Sequence, residues 1–412
     1  MPDKAVKDKA MLAAVGLTFA ACVAVLFSIA AFNILLFAAL AALLLALAEL
    51  RLPPVKWPLG LFVLGTLLAA AFSGNPAAAW PQIKKFEVLL VLLAVSSAFR
   101  GAVTLRRLFL CWAAAAAANS LWSLVQFAGK LTAARGPGQS FYEFYLPART
   151  TGFMSHWMTF GSQGMVALLM LLALIFFGPR MRRSHLFLTV AAAVAISLGL
   201  VLGLTRIVWL GTALGSLYLL WFWKRWTVIA APAAIAIGLL AAPPFLRERA
   251  ISIFRPNEAL DSNTFRVICR RTGYRIVAAH PWLGIGPQMV KFQFKDYLPP
   301  DLSQPLPPGF YEHLHNLYLQ YAAERGIPTA LMLVWLLVKA LFDFIQAVRK
   351  LPPGPSDRRF ILHGAIAAVM ATMTVGLAEV NLGDSEVLAM FLIVLAAGYQ
   401  AAEGEETCAA EK

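Results

Sequence analysis

The chain has 412 residues, 60% of them hydrophobic and only 14% charged, with a formal net charge of +14. A soluble globular protein carries about 45–50% apolar and about 25% charged residues, so this chain has too little charge to cover a water-facing surface. The composition excludes a soluble enzyme, an intrinsically disordered chain and a disulfide-stapled secreted domain.

Lys4, Lys7 and Lys9 precede a mostly apolar run from Met11 to Ala48. That run is too long for a signal-peptide core, and no A-x-A exit follows at the expected distance. It predicts a retained helical hairpin of two spans, broken near residues 28–33. Along the whole chain the apolar segments number twelve: 11–28, 33–50, 58–73, 86–99, 107–127, 160–177, 185–204, 207–223, 226–243, 328–348, 360–379 and 386–401. The apolar mass thus comes in runs near the roughly 20 residues that cross a bilayer core. Lipid offers the backbone no hydrogen-bonding partner, so each is predicted to be a helix. The runs are too continuous for the alternation of a membrane barrel. The predicted fold class is an all-α integral membrane protein of about twelve transmembrane helices. Residues 1–243 carry the first nine, 244–327 form one large, mainly helical outer loop, and 328–412 carry the last three and a tail.

Basic residues set the orientation. With the N-terminus in the cytoplasm, the inner loops hold seventeen Lys and Arg and the short outer loops six. The positive-inside rule therefore predicts both ends in the cytoplasm. The four cysteines, Cys22, Cys111, Cys269 and Cys408, form no CxxC pair and read as small buried hydrophobes. The six histidines show no HExxH pattern, and DxD and Walker motifs are absent, so no metal or cofactor is predicted.

The 244–327 loop breaks the trend for outer loops to be poor in Lys and Arg: nine basic residues stand against six acids up to His315. Four arginines and no acid lie between Phe265 and Ala279. On a helix Arg266 and Arg270 share one face at i, i+4, and Arg271 and Arg275 share another. The two pairs are rotated by more than a right angle, so all four cannot grip one small anion. The planar guanidinium fork suits phosphate; a solvated face or anchorage to anionic headgroups is the plainer reading. Arg206 sits in GLTRIVWLG, where one span gives way to the next, either as an interfacial snorkelling residue or as an anion-binding group. Arg149 and His156 lie in ARTTGFMSHWMTFG, which reads first as a turn into an interfacial helix anchored by Trp157 and Phe160.

Residues 313–329 place Leu314, Leu317, Tyr318 and Tyr321 at helical spacing, and Gly326 followed by Pro328 is a helix stop followed by a new start. His315 falls in the predicted first turn. There the helix dipole disfavours imidazolium and leaves a neutral ring able to take a proton. As a lone residue it reads better as a cap or as a side chain packed at the interface. His313, two residues away, would point elsewhere on such a helix.

Together these pieces resemble the O-antigen ligase family and its superfamily of O-antigen polymerases and O-linking oligosaccharyltransferases. The resemblance rests on TRIVWLG, on Arg266 followed by AAHPWLGIGPQ, and on His315-Asn316, nine residues, Gly326, two residues and Thr329. ARTTGFMSHW is similar to the family's arginine-containing stretch before the middle spans. The resemblance implies metal-independent, inverting glycosyl transfer at the periplasmic face of a Gram-negative inner membrane. The donor would be a glycan on undecaprenyl diphosphate, the acceptor a sugar hydroxyl of lipid A–core. His315 would be general base, Arg206 and Arg266 would stabilise the leaving diphosphate, and Arg270 would bind diphosphate or acceptor phosphate. Arg149, Arg271, Arg275 and His313 remain substrate-binding candidates without an assigned role. The alternatives are an O-antigen polymerase, a protein O-oligosaccharyltransferase using the same donor, and a lipid-linked glycan transporter. Spans nearly free of ionisable residues weigh against transport.

Overall fold

The computed structural model describes residues 4–134, 140–255, 263–302, 305–307 and 309–403, and it is all-helical with no strand among them. Cys408, the loop acids Glu258 and Asp261, and the tail beyond Glu403 lie outside the described residues. In chain order the helices are α1 (Lys4–Ala24), α2 (Ile29–Leu45), α3 (Lys56–Ala71), α4 (Pro76–Lys84), α5 (Leu90–Ala98), α6 (Ala102–Ala133), α7 (Phe141–Tyr145), α8 (Trp157–Phe177) and α9 (Arg183–Leu202). There follow α10 (Arg206–Trp223), α11 (Thr227–Ala241), α12 (Pro244–Ile251), α13 (Asn263–Ala279), α14 (Val290–Gln293), α15 (Leu317–Lys350), α16 (Asp357–Gly376) and α17 (Ser385–Glu403).

Each of the twelve apolar segments falls on a helix. Six helices, α6, α8, α9, α15, α16 and α17, are long and apolar enough to cross a membrane, while α2, α3 and α11 are apolar but shorter. The hairpin break comes where Ser28 caps α2, its hydroxyl accepting from the Ala31 amide at 3.3 Å. α8, α16 and α17 form the buried spine, and α9 turns most of its surface outward. Gly211 and Gly215 bring α10 onto the backbone of α16: a Cβ on either would stand 3.0 Å from the carbonyl of Ala371 or Ala367. Small residues at this spacing are the usual device for helix contact in lipid, where apolar burial alone gives no drive. The pair Lys339–Asp343 closes at 2.8 Å and Tyr399 donates to the same carboxylate at 2.7 Å.

A second apolar core, Ile268, Cys269, Ile276, Met289, Phe294, Leu314 and Leu319 among its members, joins α13, α14 and the start of α15 into a cap on one end of the bundle. Cys22 and Cys269 are buried as expected, but Cys111 is exposed on α6. The expected helix start near His313 is also corrected. Asn316 is the N-cap, its side chain accepting from the Leu319 amide at 2.8 Å, so α15 begins at Leu317 and residues 313–315 form a turn. Asparagine competes for backbone donors better as a cap than within a helix, which sets this boundary.

Candidate active site

Three elements converge at the junction of cap and bundle: α13 brings Arg266, the turn before α15 brings His315, and the segment after α16 brings Glu379. Arg266 forms an ion pair with Glu379 and donates to the Ala378 carbonyl at 2.9 Å. His315 Nδ1 lies 3.5 Å from the other Glu379 oxygen, an electrostatic contact too long for a good hydrogen bond. His315 Nε2 meets the Phe310 carbonyl at 3.0 Å. A proton on Nε2 satisfies that carbonyl and leaves the Nδ1 lone pair free to accept another. Burial pushes the Glu379 carboxyl up, but the His315 ring and the Arg266 guanidinium together outweigh it and hold the group at about 2. Phe265 and His313 flank the His315 ring, with centroids at 5.1 and 4.0 Å. His315 has φ of 49°, a left-handed conformation uncommon outside glycine, which orients the ring ahead of the helix.

Beside this trio lies a cavity of about 210 Å³ lined by Arg149, Arg206, Arg249 and Arg266, with Trp157 and Glu379 in its wall. Four guanidiniums face one carboxylate. The Arg149 guanidinium is held down at about 9, by burial first and by Arg249 second. Guanidiniums gathered in a partly desolvated space favour an anion. The positions are fixed from the backbone. Leu204, fully buried with φ of 47°, turns its carbonyl to Arg249 Nε at 2.8 Å and Arg149 Nη1 at 3.3 Å. Arg149 also donates to the Leu146 carbonyl at 2.9 Å and stacks 4.4 Å over Trp157. The loop carrying it is pinned by Gln126, which accepts from the Thr151 and Gly152 amides at 3.1 and 3.0 Å. Arg206, first residue of α10, reaches the Ser252 carbonyl at 2.6 Å.

The other sequence candidates divide by face. Arg270 lines a small cavity with Arg266 and His315. Arg271 instead pairs with Asp301 at 2.6 Å, and Arg275 donates to the Tyr297 carbonyl at 3.1 Å, both exposed on the far side of α13. His313 lies against His315 because the segment is a turn, and its Nδ1 accepts from the His315 amide at 3.2 Å. Burial, with His315 adding to it, lowers the His313 ring to about 4. His156 caps α8, accepting from the Met158 amide at 3.2 Å.

The motif glycines hold the cap on the bundle. Ile285 and Gly286 donate to the carbonyls of Ala323 and Glu324, both at 2.9 Å, and Ile327 donates to that of Pro281 at 2.8 Å. Gly326, at φ of 80°, interrupts α15; a Cβ there would stand 1.9 Å from the Trp282 carbonyl. Thr329, the last motif position, packs on α3 where Gly65 admits it.

Residues 191–334 match the family model described as O-antigen ligase. The match spans 144 of the 412 residues. No curated protein matches the chain. The matched segment runs from α9 into α15 and contains Arg206, Arg249, Arg266, Arg270, His313 and His315; Arg149 and Glu379 come from outside it. A family domain of this kind on a bundle with several membrane-length helices supports a multi-pass membrane enzyme of ligase or polymerase type, glycosyltransferase-like in its chemistry.

Two residues of the site are illegible in the sequence. Glu379 lies in TVGLAEVNLG, where nothing marks it apart from an acid at the end of a span. Arg249 was one of nine charges in the loop, and only its burial sets it apart. His313, His315 and Glu379 place ligand atoms within 4.8 Å of one another, the arrangement among the described residues that could accept a metal ion. Arg266 already occupies one side of that carboxylate and competes with a cation for it.

Proposed function

We propose that this protein is an O-antigen ligase of the Gram-negative inner membrane, with twelve spans, both ends in the cytoplasm and the cap facing the periplasm. It transfers a glycan from undecaprenyl diphosphate to a sugar hydroxyl of lipid A–core. One observation carries the reading: the guanidinium cavity and the His315 imidazole meet at a single ion pair, Arg266–Glu379.

The chemistry is one displacement. The acceptor oxygen forms a bond to the anomeric carbon as the carbon–oxygen bond to the diphosphate breaks, inverting the centre, and the bonding electrons leave on the diphosphate oxygen. Arg206 and Arg266 stabilise that growing charge from a preorganised, partly dry cavity. Arg149 and Arg249 add to the field. The hydroxyl proton passes to His315 Nδ1, general base work typically worth about 10²–10⁴ in rate. The imidazolium so formed faces Glu379, whose carboxylate stays charged at any physiological pH.

The test is an assay with full-length protein in lipid nanodiscs and chelator present, offering glycan on undecaprenyl diphosphate with lipid A–core, a second donor molecule, or a pilin-like peptide. Glycan on lipid A–core with release of undecaprenyl diphosphate is the expected result. Extension of the donor instead makes it a polymerase, and peptide modification makes it a protein oligosaccharyltransferase. Lipid movement without any transfer makes it a transporter.

A further inference from the structure

A second, larger cavity of about 540 Å³ shares Glu379 with the arginine-lined one. It falls within the about 300–1,000 Å³ of small-molecule sites. Its charge is reversed. Glu312, Glu324, Glu379, Asp384 and Glu386 line it, with Lys85, His156 and His313 and no arginine among the described lining residues. Lys85 is turned onto the Gly383 carbonyl, and Asp384 accepts from the Thr159 hydroxyl. Besides the two imidazoles, the lining offers the amides of Gln82, Gln288, Gln320 and Asn381 and the hydroxyls of Ser162 and Ser385. Two of these are buried with an unused atom. Ser162 is 1% exposed and Asn381 5% exposed, and neither Ser162 Oγ nor Asn381 Oδ1 has a hydrogen-bond partner among the described residues. Buried polar atoms left unpaired are costly, and a cavity lined by them points to a partner that supplies the missing bonds. Tyr321 and Phe310 add apolar ring surface.

A phosphate in this chamber would face carboxylates at close range, where like charges repel strongly. A sugar ring offers hydroxyls that both donate and accept, which matches amides, hydroxyls and carboxylates together. Resting on the transfer reaction above, we propose that this chamber receives the acceptor saccharide and selects a ring bearing hydroxyl or amino groups over one phosphorylated near the reacting end. Glu379 and Met158 border both chambers, so the two substrates approach the same carboxylate from opposite charge environments.

Direct binding tests this without turnover. A phosphate-free core oligosaccharide released from lipid A, and its phosphorylated counterpart, are titrated calorimetrically into full-length protein in nanodiscs. The phosphate-free form is expected to bind about tenfold more tightly. Asn381→Ala should weaken both saccharides alike, and Glu386→Arg should reverse the preference, with thermal melts confirming that each variant is folded. Equal or tighter binding of the phosphorylated form, no binding of either, or an unchanged preference in Glu386→Arg overturns the proposal. A parallel titration with undecaprenyl diphosphate separates the two readings. If the saccharide binds and the lipid diphosphate does not, the transfer reaction fails while the saccharide chamber stands.

Discussion

The carboxylate of Glu379 stands 3.5 Å from Nδ1 of His315 while its other oxygen is held by Arg266. One acid thus bridges the basic group and the anion-binding group. Replacing it by Gln keeps the shape and removes the charge. Glu379→Gln should lower kcat by about tenfold or more while the donor KM changes less, because the lost charge acts on the imidazolium formed in the transition state. Arg266 stays about a quarter exposed, so the loss of its partner should cost only roughly 1–3 kcal/mol of stability. Steady-state kinetics and thermal melts read the two effects separately.

His315→Ala should reduce transfer by about 10²–10⁴ while the protein still inserts and folds. His315→Gly removes the left-handed strain as well as the ring, and should be at least as stable as His315→Ala and equally inactive. Retained transfer in either variant removes the proposed base.

Arg206→Lys should raise the donor KM by about tenfold, since a point charge cannot reproduce the two-pronged guanidinium contact. By contrast Arg271→Ala removes only a solvent-screened pair with Asp301 and should leave donor KM near the wild-type value. Equal effects of the two substitutions would remove the distinction between the arginine-lined cavity and the exposed face of α13.

Acidification should remove two stabilising contributions. The His313 ring, lowered to about 4 in the folded protein, takes its proton more readily unfolded, so its contribution is present above its ordinary value near 6.5 and is lost as pH falls towards 4. His156 is lowered by burial too and acts in the same direction. Glu379, held at about 2, contributes stability above the ordinary carboxylate range that is lost as pH falls from about 4.5 through 2. The melting temperature of the wild type relative to His313→Gln should fall between pH 7 and pH 4, a difference that isolates this ring from Glu324, which burial raises to about 7 and which acts the other way.

Gly326→Ala places a Cβ against the Trp282 carbonyl at a backbone conformation reserved for glycine. Strain of about 1–3 kcal/mol plus displacement of the 281–286 turn is expected. Hydrogen exchange should report lost protection at Ile285 and Gly286, whose amides bond across that contact.

The helices were legible because lipid leaves the backbone a single solution and the apolar runs mark it directly. Arg266 and Arg270 were separable from Arg271 and Arg275 by helical phase alone, and the structure keeps that division. The Gly326 break was visible from Gly and Pro spacing. What the sequence hid depends on distant segments meeting. Glu379 lies 64 residues beyond His315 in a stretch with no motif. Arg149 read as part of a turn because its stack on Trp157 is local, whereas its place beside Arg249 depends on the carbonyl of Leu204. His313 was put on the wrong side of its neighbour because the Asn316 cap delays the helix.

The wall between the arginine-lined and acid-lined chambers is thin enough that one side chain serves both. On the reaction proposed above, a phosphate arriving on one side competes with Glu379 for Arg266, so arrival and departure of the carrier set how fully the carboxylate bears on His315.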